Sequence, residues 1–136
     1  LLQSEAPALL GALASKGYTT VVETGGSLDV APLLGVDGVV ISLDVKCPGS
    51  GMERHNRWAN LDLLRPQDVV KFVVADRKDY LYARRLVRSR RLPQPVFQPV
   101  WGTDAGRLAD WVLEDRLDVR LLLQEHKVLW GDVPGR

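Results

Sequence analysis

At 136 residues, with 46% hydrophobic and 26% charged residues, the chain has the make-up of one globular domain able to bury a core. A net charge of +1 offers no global field to gather nucleic acid or a membrane surface, no apolar run approaches the length of a bilayer span, and no signal peptide is visible. A single cysteine, Cys47, excludes an internal disulfide and cannot by itself hold a metal cluster, so a cytoplasmic protein is expected.

The chain opens Leu1-Leu2-Gln3, without an initiator methionine and directly into a helix, which leads us to expect further residues before it. Ser4 is placed to cap that first helix, with Ala6, Leu9, Leu10 and Leu13 on one face and Gly17 just past its end. Tyr18 to Val22 reads as a strand, Ser27 to Leu34 as a short helical piece, and Val36 to Val45 as a second strand. Arg57 to Leu64 reads as a helix stopped by Pro66, and Val69 to Val74 as a third strand. Asp76 caps a helix running to about Arg90, with Tyr80, Ala83 and Val87 inward. Val96 to Val100 is a fourth strand, Thr103 or Asp104 caps a helix through about Glu114, and Val119 to Leu123 is a fifth strand. From Gln124 onward the tail reads as polar and irregular.

Strict alternation of helix and strand means right-handed βαβ units and a parallel sheet covered by helices. A sheet of about five strands with crossover helices fits part of a β/α barrel or an open doubly wound sheet, and periodicity does not separate the two.

In either case the carboxyl ends of all strands lie along one edge. There the sequence places Glu23-Thr24-Gly25-Gly26, then Asp44 to Gly51, then Asp76, then Gln98, Trp101 and Gly102, then Gln124, His126 and Lys127. The amino ends carry blander residues such as Asp37-Gly38 and Gln67-Asp68. A polar, glycine-rich and aromatic edge on a rigid scaffold is where ligands gather. Several of these residues keep a structural alternative. Gly25-Gly26 suits close backbone approach or a positive-φ turn, and Glu23 suits an amine or hydroxyl ligand or an ion pair. The arginines of the 77–91 helix suit phosphate or RNA, but their spread around the helix favours a solvated face. No GxGxxG, Walker loop, HExxH or paired-cysteine signature is present.

Glu23-Thr24-Gly25-Gly26, Leu43-Asp44-Val45-Lys46-Cys47-Pro48-Gly49-Ser50-Gly51-Met52, Val70-Lys71-Phe72-Val73-Val74, Phe97-Gln98-Pro99-Val100 and Gln124-Glu125-His126-Lys127-Val128-Leu129-Trp130-Gly131 occur in one characteristic order. In that order the chain resembles the 7-carboxy-7-deazaguanine synthases, radical S-adenosylmethionine enzymes of queuosine and deazapurine biosynthesis, from near Leu1 to Gly131. The family's Cys-x3-Cys-x2-Cys and Thr-Gly-Gly-Glu-Pro segments are absent. The resemblance therefore implies the carboxyl-terminal two thirds of such an enzyme, a single domain over residues 1–136 that forms part of an incomplete β/α barrel of the radical type.

The family's reaction converts 6-carboxy-5,6,7,8-tetrahydropterin to 7-carboxy-7-deazaguanine and ammonia through a 5′-deoxyadenosyl radical. The implied cofactors are S-adenosylmethionine, a 4Fe-4S cluster and Mg2+, with the ligands of cluster and ion expected upstream of Leu1. The implied partners are the pterin substrate, an electron donor such as flavodoxin, and a second copy in a homodimer, with neither nucleic acid nor membrane. Asp44, Val45 and Lys46 fall where the family has Ser-Pro-Lys against S-adenosylmethionine; the lysine agrees and the first two depart. Gln98, Pro99, Val100 and Trp101 fall where the family contacts adenine, largely through the backbone. Glu23 matches a position suited to the guanidine-like pterin edge, and His126 or Lys127 suits the substrate carboxylate. Pro134-Gly135-Arg136 corresponds to a terminus that reaches the substrate, and Cys47 reads as structural. Two alternatives stand beside this reading. One is an activase-like radical enzyme of the same superfamily; the other, for a complete chain, is a non-enzymatic α/β binding domain.

Overall fold

A computed structural model describes residues 3–135; Leu1, Leu2 and Arg136, and with them the expected role of Arg136 in the tail, lie outside the described residues. Helix α1 (Ala6–Ser15) leads into β1 (Thr20–Thr24), then α2 (Ala31–Leu34) into β2 (Val39–Val45). Two 3-10 turns, Pro48–Ser50 and Glu53–His55, precede α3 (Ala59–Leu63) and β3 (Val69–Val74). The chain then runs through α4 (Arg77–Ser89), β4 (Pro95–Pro99), α5 (Ala105–Glu114), β5 (Arg120–Leu121) and α6 (Glu125–Trp130).

All five strands are parallel and lie in the order β1-β2-β3-β4-β5. An order that never reverses, joined by right-handed crossovers, keeps the connecting helices on one face, as in a segment of a β/α barrel. A doubly wound sheet would reverse direction part-way. Among the described residues the sheet is open, with β1 and β5 at its edges.

Strand alternation separates two layers. Val22, Ile41, Leu43, Val45, Val70, Phe72, Val74 and Phe97 face the helices and pack with Leu33, Leu61, Tyr80, Ala83 and Leu108 into the core. Phe97 sits edge-on to Phe72 at 5.5 Å and to Tyr80 at 5.9 Å. The alternate positions Glu23, Ser42, Asp44, Lys71 and Gln98 point to the other, helix-free face.

Two caps act as the sequence predicts. Asp76 accepts from Asp79 N–H at 2.9 Å and Asp104 from Arg107 N–H at 3.0 Å, opening α4 and α5. Ser4 does not cap α1, whose N-cap is Glu5 with no side-chain bond, and Leu9 is exposed. Past α1, Gly17 at φ +83° lets Gly17 N–H reach Ala14 O and Tyr18 N–H reach Leu13 O. This 6→1 closure occupies Tyr18, so β1 begins at Thr20, where pairing with Val39 starts, rather than at Tyr18. The fifth strand shrinks to Arg120–Leu121, the two residues in ladder register with β4, with a last bond from Leu122 N–H to Phe97 O at 3.0 Å. The tail is not irregular: Glu125–Trp130 is helical.

The amino-terminal edge holds a buried ion pair. Asp68 is fully buried, accepts from Ile41 N–H at 2.8 Å and is paired with Arg65 at 3.0 Å. Arg65 also donates to Val39 O and Leu34 O. These bonds knit α2, β2 and the start of β3 at the edge opposite the ligand end, where a barrel-type sheet concentrates stability rather than chemistry.

The basic helix α4 is occupied by its own fold. Arg84 and Arg88 pair with Asp115, Arg77 stacks at 4.9 Å over Tyr80 and 4.7 Å over Trp111, and Arg90 pairs with Asp62. Hydrogen bonds from Tyr80 and Arg84 hold the Asp115 carboxyl below the usual carboxylate range. No helix among the described residues is long and apolar enough to cross a membrane.

Candidate functional site

The site begins where β2 runs out of neighbours. Asp44 and Lys46, two residues apart on a strand, project to the same helix-free face, and Lys46 Nζ meets Asp44 Oδ2 at 2.7 Å. The second oxygen of that carboxylate, Oδ1, is buried with no hydrogen-bond partner among the described residues. Buried acceptors are seldom left so, which marks Asp44 as able to take a donor from a ligand. Gly25 lies against the pair: a Cβ there would stand 3.6 Å from Lys46 Cε. Its neighbour Gly26 needs its missing Cβ for a turn at φ +68°, closed beneath by the buried Asn60, which donates to Gly26 O and Leu28 O. Of the two roles the sequence allowed the glycine pair, the positive-φ turn is met at Gly26.

Lys46 and Asp44 line a cavity of about 320 Å³ with Gly49, Ser50, Val73, Asp79 and Val100. Asp79, buried at the first turn of α4, accepts from Gly49 N–H at 2.7 Å and Ala75 N–H at 3.1 Å, tying this loop to the end of β3. Cys47 is buried; burial, reinforced by the negative field of Asp79, Asp44 and Glu53, pushes its thiol up to about 12.

A second cavity, of about 690 Å³, opens on the same face and is lined by Glu23, Lys71, Gln98, Gln124, His126 and Lys127, among others. Lys71, on β3, reaches back across β2 to Glu23 at 3.5 Å. Lys127 pairs with Asp132 at 2.6 Å. Gln98 Nε2 points to Leu123 O at 3.5 Å. Gln124 Oε1 is buried without a partner among the described residues, a second acceptor open to a ligand. A third, mostly apolar hollow of about 280 Å³ lies beside it, between Pro99, Val100, Trp101, Thr103, Leu123 and Val128.

Of the residues singled out in the sequence, Glu23, Gln98, His126 and Lys127 come together in one cavity, although they sit on β1, β4 and α6. Asp44 and Lys46 stand on the same sheet face but line the neighbouring cavity. Trp101 and Val100 line the apolar hollow. Val45 turns the other way, into the core, and Pro99 is buried with it, so neither presents a polar side chain. Lys71 and Ser42 escape a reading that attends only to strand ends, because they lie mid-strand; β-alternation in Val69–Val74 was the signal that could have found Lys71.

The sheet order and the polar carboxyl edge define a parallel α/β protein of incomplete-barrel type with polar cavities on its helix-free face. No family model matches the chain. It is similar to curated proteins named 7-carboxy-7-deazaguanine synthase: 42% identical to that of Koribacter versatilis over 87% of this chain and 59% of the relative. It is 35% identical to that of Thermoplasma acidophilum over 99% and 65%, and 41% identical to that of Chlorobaculum tepidum over 96% and 62%. The chain spans about three fifths of the length of these relatives. By sequence it is a relative of the 7-carboxy-7-deazaguanine synthases.

Proposed function

We propose that this chain supplies the cofactor- and substrate-binding edge of a 7-carboxy-7-deazaguanine synthase, a radical S-adenosylmethionine lyase that turns 6-carboxy-5,6,7,8-tetrahydropterin into 7-carboxy-7-deazaguanine and ammonia. The observation that carries this reading is the 690 Å³ cavity, where two carboxylates, two amides, an imidazole and two ammonium groups from β1, β3, β4 and the start of α6 converge. A pterin offers that set a donor-rich edge for Glu23 and a carboxylate for His126 or Lys127.

Beside it, Asp44 Oδ1 and Lys46 Nζ form an acceptor and donor pair suited to the hydroxyls and amino-acid end of S-adenosylmethionine. The hollow next to Trp101 suits an adenine ring, flanked by the backbone of Pro99 and Val100. S-adenosylmethionine, when bound, supplies the nucleoside radical chemistry; the chain's own contribution is to bind, orient and exclude water.

The residues present do not fit an iron–sulfur cluster or a bound Mg2+. Among the described residues no group of three or more His, Cys, Asp or Glu could hold a metal ion, and the only thiol is buried and resists ionisation. In this reading, ligands for cluster and ion belong to residues outside 3–135, and the working protein is a cytoplasmic homodimer reduced by a flavodoxin-like donor.

The test uses cluster-loaded protein that includes this chain. Lys46→Ala is expected to weaken S-adenosylmethionine binding in calorimetry, and His126→Ala to slow pterin turnover far more than substrate-free cofactor cleavage. Unchanged affinity in the first removes Lys46 from the site; equal losses of both rates in the second remove His126 from the substrate.

A further inference from the structure

We infer that Asn56 is a positioning residue that extends the end of β2 by one residue and so presents the Asp44–Lys46 pair to the ligand; this rests on the reading of Lys46 as a cofactor contact. Pairing of β2 with β1 stops at Leu43↔Thr24, and pairing with β3 stops at Val45↔Phe72. The next peptide groups therefore have no strand beside them. Asn56, ten residues on, takes that place. Its Oδ1 accepts from Lys46 N–H at 2.9 Å and its Nδ2 donates to Lys46 O at 2.9 Å. A carboxamide presents an N–H donor and a C=O acceptor side by side, as a peptide group does, so it satisfies both main-chain groups of Lys46 at once.

The clamp is itself anchored. Asn56 closes the Glu53–His55 turn, with Asn56 N–H bonded to Glu53 O at 3.1 Å, and its side chain is half-buried. Three residues past Lys46, Asp79 grips Gly49 from the other side. Lys46 thus stands between two fixed points. Its Cα is held before any ligand arrives, and its long stem needs to order only its outer torsions to meet Asp44 at 2.7 Å. A site built this way loses less freedom on binding than one whose lysine hangs from a free loop.

The clamp and its consequence are measured separately, in the cluster-loaded protein that includes this chain. Hydrogen exchange in Asn56→Ala is expected to quicken at Lys46 by about tenfold or more while Val70–Val74 stays protected. In a cycle of Lys46→Ala, Asn56→Ala and the double variant, S-adenosylmethionine binding is expected to weaken about tenfold in each single variant, with the double variant no weaker than Lys46→Ala alone. If Asn56→Ala does not fold, Asn56→Ser keeps a polar side chain too short to reach the Lys46 peptide groups, adds no charge, and serves for both measurements. Unchanged exchange at Lys46 overturns the clamp. Quickened exchange with unchanged affinity in the Asn56 variant, or with losses that add, overturns positioning and leaves Lys46 as a cofactor contact. Unchanged affinity in Lys46→Ala sinks the cofactor reading of that residue, and the inference falls with it.

Discussion

Two ionisable side chains at opposite ends of the sheet show how burial acts through what surrounds it. At Asp68, burial by itself would raise the carboxyl, but hydrogen bonds from the Arg65 guanidinium and from the N–H groups of Ile41 and Arg65 outweigh it and hold it below the ordinary carboxylate range. A carboxyl lowered by folding contributes stability above its unfolded value of about 3.9 and surrenders it as pH falls through the lower folded value. Urea midpoints are therefore expected to drop as pH falls below about 4. Asp68→Ala should cost about 3–5 kcal/mol at pH 7, since it strands Arg65, and should flatten that acid dependence. An unchanged acid limb in the variant would assign the loss to other carboxylates.

Cys47 is the opposite case: the nearby Lys46 charge does not offset its burial, and its thiol rises to about 12. In the folded chain it should resist thiol-exchange reagents at pH 8 and react fully in denaturant. Rapid labelling of native protein would contradict its burial.

Among the elements, the loop between β2 and α3 concentrates the most constraint in the fewest residues. Gly49 is there because Asp79 leaves no room: a Cβ at that position would stand 2.5 Å from Asp79 Oδ2. Asp79 also holds Gly49 and Ala75 by their N–H groups, so it cannot withdraw without stranding both. Gly49→Ala is expected to destabilise by about 1–3 kcal/mol in equilibrium unfolding. A further drop in the Gly49→Ala/Asp79→Asn double variant equal to the sum of the two single losses would show that the two residues do not share this contact.

Helices α4 and α5 carry a different lesson. Their aspartate caps and inward faces were plain in the sequence, because a cap and a 3.6-residue period are local signals. α6 and the two-residue β5 were not, because what ends β5 is loss of ladder register with β4, and polar residues 124–127 resemble loop by composition.

For the whole molecule, the separation of two faces decides what the chain can do. One face is sealed by helices and holds the aromatic core; the other carries Glu23, Ser42, Asp44, Lys71 and Gln98 and remains open. With one buried thiol, the 136-residue chain reconstituted without oxygen with iron and sulfide should bind no stoichiometric 4Fe-4S cluster. A full cluster on this chain would refute the expectation that cluster ligands lie outside residues 3–135.

Read alone, the amino-acid order determined the alternation of helix and strand, the polar carboxyl edge and the likeness to deazaguanine synthases, because each rests on near neighbours or on linear spacing. Only the tertiary structure decided between barrel segment and doubly wound sheet, since strand order is a choice among non-local pairings. It also brought Lys71 beneath Glu23 and Asn56 onto the Lys46 backbone. Those contacts join residues that hydrophobic period cannot pair, and they exist only once the strands lie side by side in register.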